Sequence, residues 1–287
     1  MLTRLNSIFV EKIPEDLRYI YHMKTFERIC LETCLIAKEA GEFIRNEAFT
    51  FSSKDVEYKS AHDLVSFVDK RAESLLVEKL GLLIPGCGFI TEEDNSRLVA
   101  EEFNWIIDPL DGTTNFVHGL PCYCVSIALF QNNVPVIGVV YEINANECFY
   151  SWSKAPAYLN GSVIRCSAPV SLNQSLLATG FPTIDYSHLE EFMEVFKFCL
   201  KNTRGLRRLG SAAADLAYVA CGRLDGFFEY ALNPWDVSAG AFIVEQAGGK
   251  ISDFSGGKNY IYGKEIIASS STIFPEFLSM IKKAFRK

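Results

Sequence analysis

Much that would fix the class of this chain at a glance is missing from it. No Cys-x-x-Cys spacing occurs, although nine cysteines are present, at positions 30, 34, 87, 122, 124, 148, 166, 199 and 221. An odd number, lying mostly in apolar stretches, excludes a disulfide framework and a zinc ribbon and reads as the reduced core thiols of a cytoplasmic protein. Positive charge is short: 28 Lys and Arg stand against 35 Asp and Glu, a formal net charge of −7. No broad basic face is therefore left to neutralise a nucleic-acid backbone. Met1 to Asp16 lacks the continuous apolar region and small-residue cleavage site of an export signal. Between Gly112 and Tyr141 there is no Asp, Glu, Lys or Arg. Gly119, Pro121, Gln131 to Asn133 and Pro135 interrupt that stretch, leaving pieces shorter than the roughly 20 residues of a spanning helix. The stretch reads as core, not membrane.

With 49% hydrophobic and 22% charged residues, the 287-residue chain has the balance of a globular protein with a sizeable core. Its length allows roughly one or two domains. Phe26, Ile29, Cys30, Thr33, Cys34, Ala37, Ala40 and Ile44 fall mostly three or four apart, the spacing of an amphipathic helix. Regular structure is thus expected from Met23, with 1–22 an N-terminal extension and 23–287 one domain, divisible into subdomains 23–155 and 156–287. A second helix carries Val68, Ala72, Leu75, Leu76 and Leu83 and closes at Pro85-Gly86. Strands follow at Gly88–Ile90 and Trp105–Ile107, then a meander over Cys122–Phe130, Val134–Tyr141 and Glu147–Trp152 with short polar turns between. The second half alternates helices at 189–200, 212–220, 237–247 and 277–285 with strands at 226–230 and 250–254. The economical reading is an α+β body of layered helices and sheets.

The informative segment is Trp105-Ile-Ile-Asp-Pro-Leu-Asp-Gly-Thr-Thr-Asn-Phe116. A buried strand ends at Asp108, Pro109 interrupts the ladder, and Asp111 follows two residues later. In the next turn Gly112 lets the backbone approach a ligand, so the Gly112 and Thr113 amides can face an anion. Two unit charges 4 Å apart repel by ~4 kcal/mol at an effective dielectric of 20, so clustered acids either stay protonated or hold a metal. Mg²⁺ bridging to a phosphate satisfies acids and amides together and needs neither His nor Cys; histidine is scarce here, with four in the chain. Glu92 and Glu93, after Gly88–Thr91, and Asp236, after Asn233-Pro-Trp235, are further acids at element ends. Alone, the first pair reads as a solvated loop and Asp236 as a helix N-cap.

Asp108-Pro-Leu-Asp-Gly-Thr-Thr-Asn115, with Trp235-Asp-Val-Ser-Ala-Gly240 and Glu245-Gln-Ala-Gly-Gly249, resembles the inositol monophosphatase family of Mg²⁺-dependent, lithium-sensitive phosphatases. The likeness runs from about Met23 to Phe285 and takes in Lys59 to Asp69, Gly88 to Glu93 and Leu209 to Ala213. It implies a layered α-β-α-β-α sandwich of the sugar-phosphatase type and two or three Mg²⁺ ions per site. The implied metal ligands are Glu92, Asp108, Asp111, Asp236 and the Leu110 carbonyl. Gly112 and Thr113 would cradle the phosphate, while Glu92, Thr113 and Asp69 would activate and orient water. Asp111, Gly210, Ser211, Ala212, Glu229 and Asp236 would meet the substrate. Without the resemblance, Asp69 is a solvated first-turn acid, Glu229 surface decoration and His62 a loop-face residue. Thr-Glu-Glu-Asp at 91–94 replaces the commoner Gly-Glu-Glu-Ser.

The expectation is a cytoplasmic phosphomonoester hydrolase, homodimeric by resemblance, that frees phosphate from myo-inositol monophosphate or a similar polyol phosphate and has no membrane or direct nucleic-acid partner. A 3′(2′),5′-bisphosphate nucleotidase, fructose-1,6-bisphosphatase or histidinol-phosphatase activity is the alternative, and a non-catalytic, partner-binding relative the third reading. Haloacid-dehalogenase phosphatases also carry Asp…Asp-Gly-Thr behind a strand, but with one residue between the acids where this chain has Pro109 and Leu110.

Overall fold

The computed structural model describes residues 15–48, 56–60, 63–94, 98–182 and 185–286, of which 15–24, 56–60 and 63–66 are described by their backbone alone. His62 lies outside the described residues. Helix α1 (Glu15–Ala48) runs through Met23. Ile29, Cys30, Thr33, Ala37, Ala40 and Ile44 come round once per turn and are all buried. A two-stranded antiparallel ribbon, β1 (Val56–Ser60) and β2 (Asp63–Ser66), leads into α2 (Phe67–Leu83), which buries Val68, Ala72, Leu76 and Leu80.

Seven strands then form one sheet in sequence order: β3 (Gly88–Thr91), β4 (Phe103–Asp111), β5 (Cys124–Gln131), β6 (Val134–Glu142), β7 (Glu147–Trp152), β8 (Ala157–Leu159) and β9 (Ser162–Ile164). Only the β3–β4 pair is parallel, and the short helix α3 (Thr113–Val117) sits between β4 and β5. Residues of one parity, Trp105, Ile107, Val125, Ile127, Val139, pack against α1 and α2. Those of the other parity, Ile106, Cys124, Ala128, Val140 and Phe149, face a central helical layer. Burial on both faces explains why the sheet part of the uncharged run, 124–130 and 136–141, carries no charge, since neither side of the sheet there meets water to reward one. Among the described residues no helix is long and apolar enough to cross a membrane.

The chain next makes β10 (Leu176–Thr179), α4 (Leu189–Asn202), β11 (Gly205–Arg207), α5 (Ala212–Ala220), β12 (Gly226–Tyr230), α6 (Pro234–Gln246), β13 (Gly249–Ser252), β14 (Glu265–Ser270) and α7 (Phe274–Phe285). Its five strands order as β11-β10-β12-β14-β13, the first three parallel and the rest antiparallel. Ala178, Phe227, Ile266 and Ala268 face α5 and α6, while Leu177, Phe228 and Ile267 pack outward on α4 and α7. Helices, sheet, helices, sheet, helices is the five-layer order. The central layer is thin because its contacts are small: a Cβ at Gly240 of α6 would lie 2.5 Å from Leu216 Cβ of α5.

Candidate active site

The site begins with a register fault. Asp108 pairs with Ser126 and Asp111 with Cys124, so three steps along β4 oppose two along β5. In a regular strand, residues three apart point to opposite faces; the extra bulge residue restores parity and turns both acids to one face. Pro109 belongs in such a bulge, where no ladder donor is needed. The shared face is that of Cys124 and Ser126, and the Ser126 hydroxyl donates to the Trp235 carbonyl of α6 at 3.2 Å. Both acids therefore look into the central helical layer.

Two helix starts meet them there. At the first turn of α6, Asp236 accepts the Asn233 amide at 2.6 Å, so Asn233 is the N-cap and Asp236 the third helical residue, not the cap it reads as when taken alone. At the start of α5, Asp111 Oδ2 accepts the Ser211 hydroxyl and the Ala213 amide, each at 2.6 Å. Glu92 arrives from the other side: parallel pairing sets Thr91 beside Ile107, so the next residue of each strand is an acid. Asp108, 2% exposed, gives one oxygen to its own turn, accepting the Leu110 amide at 2.9 Å. Burial first, and then the neighbouring Glu92, Asp111 and Asp236, push its pKa well above the carboxylate range. Asp236 is raised by burial and then by Asp111, with Glu92 and Glu229 adding to it. Burial also raises Asp111, against the hydrogen bonds from Ser211 and Ala213 and the charge of Arg208.

Gly112 takes φ +100°, and a Cβ there would stand 3.0 Å from the Cys122 carbonyl, so the turn after Asp111 admits no side chain. Asn115 holds that turn closed by donating to the carbonyls of Cys122 at 2.8 Å and Leu209 at 2.7 Å. Thr113 Oγ1 lies 3.0 Å from Asp69 Oδ1 and 3.0 Å from the Leu110 carbonyl. Asp69 is wholly buried in the first turn of α2, which overturns the solvated reading of that acid. One turn on, Glu73 is buried as well and accepts the Glu93 amide at 2.8 Å, anchoring the loop that carries Glu92.

The opposite wall is built from α5 and β12. Gly210 and Ser211 lead into α5, where Ser211 caps the helix by accepting the Ala214 amide at 3.1 Å and Ala212 begins it. Glu229, near the end of β12, packs so closely on Gly180 that any side chain at 180 would overlap its carboxylate. Burial pushes the Glu229 pKa up to about 8, against the opposing charge of Arg208. Asp215 of α5 is 1% exposed, with one oxygen lacking a hydrogen-bond partner, and burial together with Glu229 raises it well above its usual range.

Every acid singled out from sequence thus lies in one neighbourhood. Glu73, Asp215 and Arg208 belong to it too and were missed. Glu73 carried a legible signal, an acid one turn after Asp69 within an otherwise apolar stripe; for Asp215 and Arg208 only tertiary placement speaks. Among the described residues no three His, Cys, Asp or Glu side chains are already drawn together as a ligand cage. The donor set nevertheless suits a hard cation: it is all oxygen, and after burial, the largest influence on Asp108, the charges that act on it are those of three neighbouring carboxyl groups.

Residues 28–284 match the model of the inositol monophosphatase family. The chain is 39% identical over 246 residues to a protein of Neisseria meningitidis named putative Nus factor SuhB, covering 85% of this chain and 94% of that one. It is 35% identical over 248 residues to inositol-1-monophosphatase of Mesorhizobium japonicum, covering 86% and 93%. Among solved structures, the extragenic suppressor protein SuhB of Bartonella henselae superposes with a TM-score of 0.83 at 34% identity, over 90% of this chain and 98% of that one. An IMPase of Thermotoga maritima gives 0.80 at 32% identity, over 88% and 96%. The five-layer architecture, the acids gathered on the bulged face and the matched length agree: the chain belongs to the inositol monophosphatase family.

Proposed function

We propose that the chain is a Mg²⁺-dependent phosphomonoester hydrolase acting on myo-inositol monophosphate or a similar small polyol phosphate. The observation that carries the reading is Asp108, buried among Glu92, Asp111 and Asp236 beside a left-handed Gly112 turn. Glu92, Asp108, Asp111, Asp236 and the Leu110 carbonyl would hold the Mg²⁺, which when bound supplies a lowered pKa for water and neutralises charge on phosphate. The chain's own groups do the rest. Asp69 accepts the Thr113 proton, which leaves the Thr113 oxygen lone pairs to accept from, and so aim, the attacking water. The Gly112 and Thr113 amides are fixed dipoles for the charge that builds on the phosphoryl oxygens. Ser211, donating to Asp111, fixes that carboxylate's orientation. A homodimer and inhibition by Li⁺ accompany the reading as properties of the family.

Glu229 and Asp215 line the polyol side with carboxyl groups that hydrogen-bond hydroxyls, which ranks nucleotide and fructose bisphosphates below polyol monophosphates; histidinol phosphate stays among the alternatives. A second reading, a Nus factor, follows from the names of relatives at 38–39% identity. Phosphate release from myo-inositol 1-phosphate, with Mg²⁺ and with EDTA, separates the two. Turnover that needs Mg²⁺ is the expected result. Its absence from folded protein, or indifference to EDTA, would favour the Nus-factor reading.

A further inference from the structure

Arg208 sits between β11 and α5, two residues before Gly210, on the polyol side of the site. Its guanidinium carbon lies 5.4 Å from the ring centroid of Phe181. Phe181 is itself braced edge-on by Phe192 and Phe196 of α4, at 6.4 and 6.3 Å. Cation–π contact of this kind restrains a long side chain that would otherwise wander in solvent. The restrained fork keeps its donors: among the described residues, no hydrogen bond or ion pair engages the Arg208 guanidinium. Its charge is felt by Asp111, Asp215 and Glu229. Gly180, against which Glu229 packs, is the neighbour of Phe181 in sequence, so platform and carboxylate belong to one wall.

We propose that Arg208 is a specificity residue which, with Glu229, reads two adjacent hydroxyls of a ring polyol phosphate, the guanidinium donating to one oxygen while the Glu229 carboxyl bonds the next. The inference rests on the phosphatase reading and deepens it. A fork with several donors beside a carboxyl matches a vicinal diol, whose oxygens both accept and donate.

The test is the ratio of kcat/KM for myo-inositol 1-phosphate to that for phenyl phosphate, which has no hydroxyl to read, with fructose 1,6-bisphosphate as a third substrate. For Arg208→Gln the ratio should fall about 10- to 100-fold, the usual discrimination from a hydrogen bond to a charged group. Arg208→Lys, which keeps the charge but not the fork, should fall less. Phe181→Leu, which removes the platform, should lower the ratio by roughly threefold. A ratio that does not move, or equal losses on both monoesters, would overturn the proposal, and a loss confined to the bisphosphate would make Arg208 an anion reader instead. Wild-type protein that hydrolyses none of the three would bring down the phosphatase reading and this inference with it, a result distinct from an unmoved ratio in an active enzyme.

Discussion

Asp111 bears two duties at once. Its Oδ2 is taken by the Ser211 hydroxyl and the Ala213 amide, which ties the β4 bulge to the start of α5, and its charge acts on Asp108 and Asp236. Asn in its place keeps the volume and one acceptor but removes the charge that a cation needs. Asp111→Asn should therefore lower kcat at least 10²-fold at saturating Mg²⁺ with the far-ultraviolet circular dichroism unchanged; wild-type turnover would remove Asp111 from the ligand set. Thr113 acts through a single oxygen, 3.0 Å from Asp69. If it aims water, Thr113→Ala should cost about 10²-fold in kcat and little in KM, as steady-state kinetics would read. A change in KM alone would make Thr113 a binding residue.

At the scale of elements, what could be read from sequence followed how local the cause was. The helical stripe of α1 and the β5–β6–β7 meander rest on periodicity and turn residues, and both stand in the structure. Helix α5 and strand β12 match their expected bounds, 212–220 and 226–230. Strand β14, in contrast, escaped: Glu-Ile-Ile-Ala-Ser-Ser has too short an apolar core to announce a strand, and its pairing with β12 and β13 supplies what its own residues do not. The parallel β10 and β11 are equally brief and equally non-local. The bulge was half legible, since Pro109 marks a break in the ladder while the parity change that unites Asp108 and Asp111 appears only in the β5 register. Asp236 was recognised at a helix start but displaced by three positions, because Pro234 and Trp235 already belong to the helix. Close packing of α6 on α5 makes a prediction at this scale. Gly240→Val forces bulk against Leu216 and should cost about 1–3 kcal/mol or more. At roughly 2–4 °C per kcal/mol for a chain of this size, a melting point at least several degrees lower is expected; an unchanged one would mean that the central layer gives way freely.

Across the whole molecule, the acid-rich site opposes the fold that builds it. Asp108, Asp111, Asp215, Glu229 and Asp236 all have folded pKa values raised by burial, Glu229 to about 8. In the unfolded chain the same groups titrate near 4. Between about pH 4.5 and 8 the folded state therefore holds more protons than the unfolded one, and stability falls as pH rises through that window. Asp253 works outside it: despite burial, hydrogen bonds from Ser255, Gly257 and Asn259 hold its pKa below the usual value, so its contribution is lost only on acidification. A cation that binds the ionised carboxylates reverses the penalty where it is largest, and at 100 times its dissociation constant it adds about 2.7 kcal/mol. Thermal melting in EDTA should thus show a midpoint that drops from pH 5.5 to pH 8. With Mg²⁺ at saturating concentration the drop should flatten, and the gain over EDTA should grow with pH to roughly 5 to 10 °C at pH 8. In Asp108→Asn the gain should shrink across the whole range. A gain equal at pH 5.5 and pH 8, or one that survives the substitution, would show that Mg²⁺ stabilises the protein elsewhere and that the buried acids are held by protons alone.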